Sequence, residues 1–268
     1  MARTSPNPTS TVSRPLQLAY SAYERRLRRA LEGAQLPRHV AVMADGNRRW
    51  ARANSPDQPL VAGYRAGADT LREFVTWCDD LGIPIVTLWV LSTENLKRES
   101  DTEVRPLLGV IEDLVASLAQ GGRYRVQLVG ALDLLPDETV NALHAAERST
   151  EHNRGLHINV AVSYGGRQEL RDAVRALLRD EAARGTTLEQ LADTLEVDQI
   201  AQYLYTKDQP DPDLIIRTSG EQRLSGFLTW QSAHSELYFC EALWPDFRRV
   251  DFYRALRAYA QRERRYGL

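Results

Sequence analysis

The stretch from Arg217 to Ser225 reads Arg-Thr-Ser-Gly-Glu-Gln-Arg-Leu-Ser and follows an apolar segment that predicts a buried strand. Each of its two guanidinium groups presents a planar fork of donors that matches phosphate oxygens. Gly220 permits a backbone turn that would let N–H groups of the backbone join such a site. Arg217, Arg223 and Ser225 are therefore candidates for binding a polyanion. A surface loop with ordinary salt bridges is the alternative for an isolated arginine pair.

A second polar segment, Asp45-Gly46-Asn47-Arg48-Arg49-Trp50, follows another apolar run. Asp45 is a candidate ligand for Mg²⁺, which prefers one or two carboxylates together with substrate phosphates. Gly46 and Asn47 favour a turn that directs N–H groups at an anion. The segment is neither a Walker A loop nor a G-x-G-x-x-G loop. An Asx turn at the end of a strand is the structural alternative.

Two further polar segments also follow predicted strands, namely Ser92 to Arg98 and Tyr164-Gly165-Gly166-Arg167. In the first, Asn95 is a candidate for hydrogen bonding to a reacting group, and Arg98 for holding phosphate. Capping of the helix predicted at 104–118 is the alternative role for Ser92 or Thr93. The double glycine of the second segment predicts a tight turn with close backbone approach, which is more structural than catalytic.

The remaining titratable residues offer little metal or nucleophile chemistry. Glu236 lies in an apolar strand, where its carboxylate needs a metal or another partner unless the strand edge is exposed. The five histidines show no H-x-x-H or H-E-x-x-H spacing and are interpreted as structural. Cys78 and Cys240 are interpreted as core residues of a reduced, cytosolic protein. No G-x-S-x-G motif indicates a hydrolase.

Alternating apolar and amphipathic segments predict the scaffold that positions these loops. Strands are predicted at 39–43, 85–91, 124–129, 156–162, 213–216 and 236–239, and helices near 16–31, 67–80, 104–118, 137–152, 167–183 and 251–264. Asp137 is expected to cap the fourth helix of this series. Because the strands are apolar runs, we predict an α/β fold whose mostly parallel sheet of about six strands carries helices on both faces. Segments 45–50, 92–98, 163–167 and 217–226 should then meet at one rim.

Length and composition are compatible with one large α/β domain or two small ones. The chain has 268 residues, 43% of them hydrophobic, and a formal net charge of −2, so nothing global favours nucleic-acid binding. Residues 1–12 are expected to form a disordered tail before a domain at 13–268. A cytoplasmic location is expected, because no signal peptide and no apolar run near ~18 residues is found. The arginine-rich helix at 16–31 leaves two roles open, peripheral contact with a membrane or a cover over a substrate cavity.

Together these segments resemble the cis-prenyltransferases, the family of the undecaprenyl diphosphate synthases. Segments 45–50, 92–95, 164–167, 212–225 and 236–247 match the family pattern in order and approximate spacing, and the resemblance covers about residues 36–268. It implies a parallel sheet with an apolar tunnel, a homodimer and dependence on Mg²⁺. The implied reaction is condensation of isopentenyl diphosphate with an allylic diphosphate.

The resemblance also implies roles for single residues. Asp45 resembles the acid that positions Mg²⁺ on the allylic diphosphate, and Glu236 the second metal-associated carboxylate. Asn95 resembles a residue with a role in proton removal. Isopentenyl diphosphate is implied to bind at Arg217, Arg223 and Ser225, and the allylic diphosphate at Gly46, Asn47 and Arg49. The implied substrate-binding set is completed by Arg48, Trp50, Tyr64, Ser92, Thr93, Glu94, Arg98 and Leu224.

Two departures from the family pattern bear on substrate and product. Tyr64 stands where the long-chain bacterial members usually have the histidine of a Gly-His pair, and Asn47-Arg48-Arg49 replaces the common Asn-Gly-Arg. Val90 stands where those members have alanine, and its extra volume is expected to stop chain elongation early. The implied tunnel residues are Ala68, Leu71, Val75, Val90, Leu91, Leu107 and Ile111.

The resemblance is strongest to the actinobacterial short-chain members, which implies (2Z,6E)-farnesyl diphosphate as product and geranyl diphosphate as primer. A long-chain polyprenyl diphosphate synthase is the alternative. A non-catalytic subunit is disfavoured because Asp45, Arg217, Arg223 and Ser225 are all present. A nucleotide-binding α/β protein is disfavoured because the chain has no Walker or Rossmann loop.

Overall fold

The computed structural model describes residues 14–98 and 101–262, and only the backbone for 14–19, 98 and 101. The predicted disordered tail and the last residues of the predicted C-terminal helix lie outside the described residues. Six strands form one sheet in the order β3-β4-β2-β1-β5-β6, and every neighbouring pair is parallel. The strands are β1 His39–Met43, β2 Ile85–Trp89, β3 Arg125–Val129, β4 His157–Ala161, β5 Leu214–Arg217 and β6 Glu236–Phe239.

The helices alternate with the strands, which confirms the predicted α/β architecture. They are α1 Arg14–Leu31, α2 Asn47–Asn54, α3 Val61–Asp80, α4 Thr93–Arg98, α5 Asp101–Ala119, α6 Asp137–Ser149, α7 Gly166–Ala183, α8 Leu188–Thr194, α9 Val197–Ala201 and α10 Arg249–Ala260. The larger core lies where α1, α3, α5, α6 and α10 pack on one face of the sheet. A smaller apolar cluster covers part of the other face and includes Tyr164, Phe227 and Leu228.

Several predicted boundaries were wrong. Strand β2 ends at Trp89, so Val90 and Leu91 lie just beyond the strand to which they were assigned. Helix α3 already begins at Val61, and α2, α4, α8 and α9 occupy segments for which no helix was predicted. Pro136, and not Asp137, is the N-cap residue of α6, so Asp137 is the first residue inside that helix.

A buried polar network crosses the smaller-core face of the sheet. His39 Nε2 lies 2.7 Å from Thr87 Oγ1, and Asn159 donates to the same oxygen at 3.0 Å and to Gln209 Oε1 at 2.7 Å. Burial lowers the pKa of His39 to about 4, and burial lowers the pKa of His157 to about 4 as well. Both imidazoles are therefore neutral at physiological pH, His39 fully buried and His157 partly buried.

Candidate active site

A large cavity opens at the carboxyl ends of β1, β2, β4 and β5 and has a volume of about 1290 Å³. All four loops that were expected to converge contribute to its walls. The predicted site residues that line it are Asp45, Gly46, Asn47, Arg48, Arg49, Tyr64, Ser92, Thr93, Glu94, Asn95, Arg217, Arg223, Leu224 and Ser225. The side chain of Arg98 lies outside the described part of the structure.

Asp45 and Arg217 form the central ion pair of this cavity. Arg217 Nη2 donates to Asp45 Oδ2 at 3.0 Å, and the Arg217 side chain is only 5% exposed whereas that of Asp45 is 40% exposed. Arg217 Nη1 donates to Ser225 Oγ at 2.9 Å and also to the Arg223 carbonyl oxygen. The guanidinium fork therefore joins β1 to the loop after β5, and the Asp45 carboxylate faces the cavity.

The backbone at Asp45 is fixed by its neighbour strand. Because β5 pairs with β1, Thr218 comes beside Asp45, where its Oγ1 accepts from the Asp45 N–H at 3.1 Å and donates to the Asp45 carbonyl oxygen at 2.7 Å. Gly46 then adopts a φ of 113°, and a Cβ there would lie 2.9 Å from Leu243 Cδ2. Only glycine satisfies both the backbone angle and this contact.

Helix α2 presents its N-terminus to the cavity, and α3 approaches this end closely. A Cβ on Gly63 would lie 2.2 Å from the Asn47 carbonyl oxygen, and a Cβ on Gly67 would lie 2.3 Å from Asn47 Oδ1. Asn47 Nδ2 donates to the Ala44 carbonyl oxygen at 3.1 Å, which fixes the turn into the helix. The dipole of α2 has its positive end here, which favours an anion at this end of the helix.

The arginine loop holds its shape through backbone contacts. Ser219 and Ser225 have φ angles of 79° and 49°, in the left-handed region that costs non-glycine residues free energy. The Gly220 N–H donates to the Cys240 carbonyl oxygen at 2.9 Å, and the Ser219 N–H to the Ala242 carbonyl oxygen at 2.7 Å. These two N–H groups of the turn are therefore already used within the protein.

The second loop is organised by a short helix that the sequence did not reveal. Ser92 Oγ accepts from the Asn95 N–H at 3.0 Å and so caps α4, whereas we had expected a cap on the helix that follows it. The Thr93 N–H donates to the Tyr164 carbonyl oxygen at 3.1 Å. This contact joins the segment 92–98 to the segment 163–167. The partly buried side chain of Asn95 faces the cavity between these two segments.

Sequence reasoning missed a buried carboxylate behind the cavity wall. Tyr164 lines the cavity, and its hydroxyl donates to Glu169 Oε2 at 2.5 Å. Glu169 Oε1 accepts from the Tyr205 N–H at 2.9 Å and from Gln231 Nε2 at 3.1 Å. Burial raises the pKa of Glu169. In the sequence Glu169 is one of many charged residues of a predicted helix, so no pattern distinguishes it.

The polar end of the cavity is strongly cationic, although the whole chain has a net charge of −2. Among the described residues that line it, two are acidic, Asp45 and Glu94, and seven are basic, which are Arg48, Arg49, Arg52, Lys97, Arg167, Arg217 and Arg223. Arg52, Lys97 and Arg167 were not among the predicted site residues. Such an excess of positive charge suits substrates with more than one negative charge.

The other end of the cavity is apolar. Six of the seven predicted tunnel residues line it, which are Ala68, Leu71, Val90, Leu91, Leu107 and Ile111. Val75 does not line the cavity, because it lies one helical turn beyond Leu71 on α3 and is fully buried in the larger core. Val110 and Leu114 of α5 also line the apolar end.

Trp50 and Glu236 lie outside this cavity. Trp50 Nε1 donates to Asp246 Oδ1 at 2.8 Å, so the indole braces α2 against the segment before α10. Glu236 is the first residue of β6 and forms an ion pair with Arg262. Because the strands are parallel, Glu236 lies at the amino edge of the sheet and Asp45 at the carboxyl edge, so one chain does not bring these carboxylates together.

The residues present suit Mg²⁺ held partly by a substrate. Within residues 14–98 and 101–262, no group of three or more His, Cys, Asp or Glu side chains could hold a metal ion. Asp45 offers a partly exposed carboxylate in the cavity, where its Oδ1 lies 3.8 Å from Arg49 Nη2. One carboxylate together with phosphate oxygens is a usual Mg²⁺ environment.

Among the described residues, no helix has the length and apolarity to cross a bilayer.

Comparison with known proteins supplies the family. Residues 43–267 match the family profile Prenyltransf, which describes undecaprenyl diphosphate synthases. The chain is 59% identical to a (2Z,6E)-farnesyl diphosphate synthase of Thermobifida fusca, over 92% of this chain and 96% of that protein. It is 54% identical to a protein of the same name from Mycolicibacterium smegmatis, over 93% and 95%.

A solved structure shows the same fold. It is that of lavandulyl diphosphate synthase from Lavandula x intermedia in complex with dimethylallyl diphosphate. The two share 32% sequence identity with a TM-score of 0.79, and the match covers 87% of this chain and 99% of that one.

Proposed function

Because this chain belongs to the cis-prenyltransferase family and is thus a transferase of prenyl groups, we propose that it joins isopentenyl diphosphate to geranyl diphosphate and releases (2Z,6E)-farnesyl diphosphate. The observation that carries the proposal is one cavity with a cationic end around Asp45 and Arg217 and an apolar end between α3 and α5. Diphosphates suit the first end, and prenyl chains suit the second.

The two diphosphates are assigned to different parts of the cationic end. The N-terminal turn of α2, together with Arg49, binds the allylic diphosphate, since the helix dipole and the guanidinium both favour an anion there. Arg217, Arg223 and Ser225 bind isopentenyl diphosphate. When bound by Asp45 and the allylic diphosphate, Mg²⁺ supplies Lewis-acid stabilisation of the leaving group.

The chain positions the reactants for an ionisation and an addition. The allylic C1–O bond breaks, and its electron pair leaves on the diphosphate, whose charge the arginines stabilise. The double bond of isopentenyl diphosphate then forms the new C–C bond to the allylic C1, and its C2 loses a proton. Asn95 is a poor base at neutral pH, so it orients the reacting groups and a diphosphate oxygen accepts the proton.

A short product is favoured by the apolar end of the cavity. Val90 and Leu91 follow β2 directly and line the wall along which the chain would grow. The relatives named above as farnesyl diphosphate synthases support the same product length. A long-chain polyprenyl diphosphate is the alternative product of the same chemistry. Dependence on Mg²⁺, a homodimer and peripheral contact with a membrane belong to the proposal.

The test uses radio-labelled isopentenyl diphosphate, Mg²⁺ and the purified protein with dimethylallyl, geranyl or E,E-farnesyl diphosphate. We expect a C15 product from geranyl diphosphate. Asp45→Ala should abolish it, and Asp69→Ala, at an exposed carboxylate on α3, should not. A ladder of products to C50 would keep the chemistry and refute the product length. Failure to condense with any primer would refute the proposal.

A further inference from the structure

One face of α1 is fixed to the body of the protein. Leu27 is fully buried in the larger core, and the helix packs along α10. The Arg248 guanidinium carbon lies 4.8 Å from the centre of the Tyr20 ring, and that of Arg254 lies 5.2 Å from the centre of the Tyr23 ring. Arg254 Nε also donates to the Tyr23 hydroxyl at 3.3 Å. These contacts hold α1 in one orientation.

The opposite face of α1 is an exposed arginine surface. At about 100° per residue, Arg25, Arg26, Arg28 and Arg29 occupy the side of the helix away from Leu27. All four side chains are exposed, and no ion pair within the described part of the chain involves them. The other exposed positions from 21 to 30 are Ser21, Ala22 and Ala30. The surface is therefore positive and carries no large apolar side chain.

The position of α1 bears on the two roles left open for this helix, which are contact with a membrane and a cover over the substrate cavity. None of the described residues of α1 lines the substrate cavity. The part of the helix whose side chains are described, residues 20–31, therefore does not form a wall of that cavity, and its arginine surface faces away from the core. A set of unpaired arginines on a helix that is fixed elsewhere is complementary to a flat anionic surface.

We propose that Arg25, Arg26, Arg28 and Arg29 bind the protein to a lipid bilayer that contains anionic headgroups. The choice of a bilayer over another polyanion rests on the proposed function, because a farnesyl chain partitions into lipid. The net charge of −2 also argues against a general affinity for polyanions. Without apolar residues to insert, the contact is electrostatic, reversible and weakened by salt.

The experiment is sedimentation of the full chain with phosphatidylcholine vesicles, with and without a third phosphatidylglycerol, at low and high salt. The test variant replaces the four arginines by glutamine. The matched variant carries Arg148→Gln, Arg154→Gln, Arg175→Gln and Arg179→Gln, which removes the same charge from exposed positions elsewhere. We expect the unmodified chain and the matched variant to bind anionic vesicles at low salt, and the test variant to bind at least about tenfold more weakly.

Three outcomes would overturn the inference. They are absence of binding to anionic vesicles, equal loss in both variants, and equal binding to neutral vesicles. Tighter binding of duplex RNA than of vesicles through the same four arginines would instead indicate a nucleic-acid surface. Condensation of soluble substrates is measured in parallel and should be unchanged, because none of the eight arginines lines the cavity. If vesicles bind and no primer is condensed, the proposed function fails and the membrane surface stands.

Discussion

Arg217 joins more parts of the candidate site than any other residue described above. Its guanidinium donates to Asp45 Oδ2 at 3.0 Å and to Ser225 Oγ at 2.9 Å, and it also reaches the Arg223 carbonyl oxygen. The side chain is nearly fully buried, so these partners replace water. An ammonium group has the same charge but lacks the planar fork, so it cannot satisfy all three acceptors in this geometry.

Arg217→Lys should therefore keep the fold and weaken the binding of isopentenyl diphosphate. We expect KM for isopentenyl diphosphate to rise by at least about tenfold, which corresponds to about 1.4 kcal/mol. Steady-state kinetics at saturating geranyl diphosphate measure the change. Arg175→Lys on the exposed face of α7 is the control and should leave KM unchanged. An unaltered KM in Arg217→Lys would show that the fork is not needed.

Glu169 offers a second test at this scale, because it accepts three hydrogen bonds in a buried environment. Glu169→Ala leaves the Tyr164 hydroxyl, the Tyr205 N–H and Gln231 without their acceptor. We expect the free energy of unfolding to fall by about 3 kcal/mol or more, as measured by urea denaturation. Glu189→Ala, at an exposed position of α8, should cost less than about 0.5 kcal/mol. Equal effects of the two substitutions would contradict a supporting role for the Glu169 network.

At the scale of elements, the sequence reveals whatever has a long apolar pattern. The six strands and the long helices are such elements, and their order predicts the sheet edge at which Asp45 and Arg217 meet. Helices α2 and α4 have 8 and 6 residues and are mostly polar, so no periodicity marks them. Their absence from the prediction explains why Ser92 was assigned as a cap for the wrong helix.

Periodicity also fails to show where a cavity ends. Leu71 and Val75 lie on one face of α3, but the first lines the cavity and the second lies wholly in the core. Core positions and cavity walls are both occupied by apolar side chains, so only the structure shows which of these residues line the cavity. Glu236 shows the corresponding limit for a strand, because the family pattern gives its position in the chain but not the edge at which its side chain lies.

Val90 lines the cavity and Val75 lies in the core, so substitutions at these two positions test what determines product length. Val90→Ala enlarges the apolar end of the cavity, so we expect products one or more isoprene units longer than C15 in the labelled assay. Val75→Ala removes the same two methyl groups from the core. It should cost about 1–3 kcal/mol of stability and leave the C15 product unchanged. Exclusive C15 from Val90→Ala would refute the role of this wall in termination.

At the scale of the whole molecule, the polar network around His39 makes stability depend on pH. An unfolded histidine titrates near pH 6.5, whereas burial lowers the pKa of His39 to about 4. Between these values the unfolded chain binds a proton that the folded chain does not. The free energy of unfolding is therefore highest above about pH 6.5 and falls as the pH is lowered towards 4.

We expect His39 alone to account for about 2 kcal/mol of the stability lost between pH 7 and pH 5. Urea unfolding of the wild type and of His39→Gln at both pH values isolates this contribution, because other titrating groups cancel in the difference. His152→Gln, at an exposed position, should keep the wild-type pH dependence. An equal loss in the wild type and His39→Gln would exclude His39 as the source.

The place of β1 in the sheet also determines when activity first becomes possible during synthesis. Its neighbours are β2, which follows soon after in the chain, and β5, whose Arg217 lies 172 residues beyond Asp45. A nascent chain must therefore have released β5 from the ribosome before this ion pair exists, and until then one side of β1 lacks its partner strand. We expect chains that stop before Arg217 to be inactive and prone to aggregate, so the topology itself withholds catalysis until translation has passed β5.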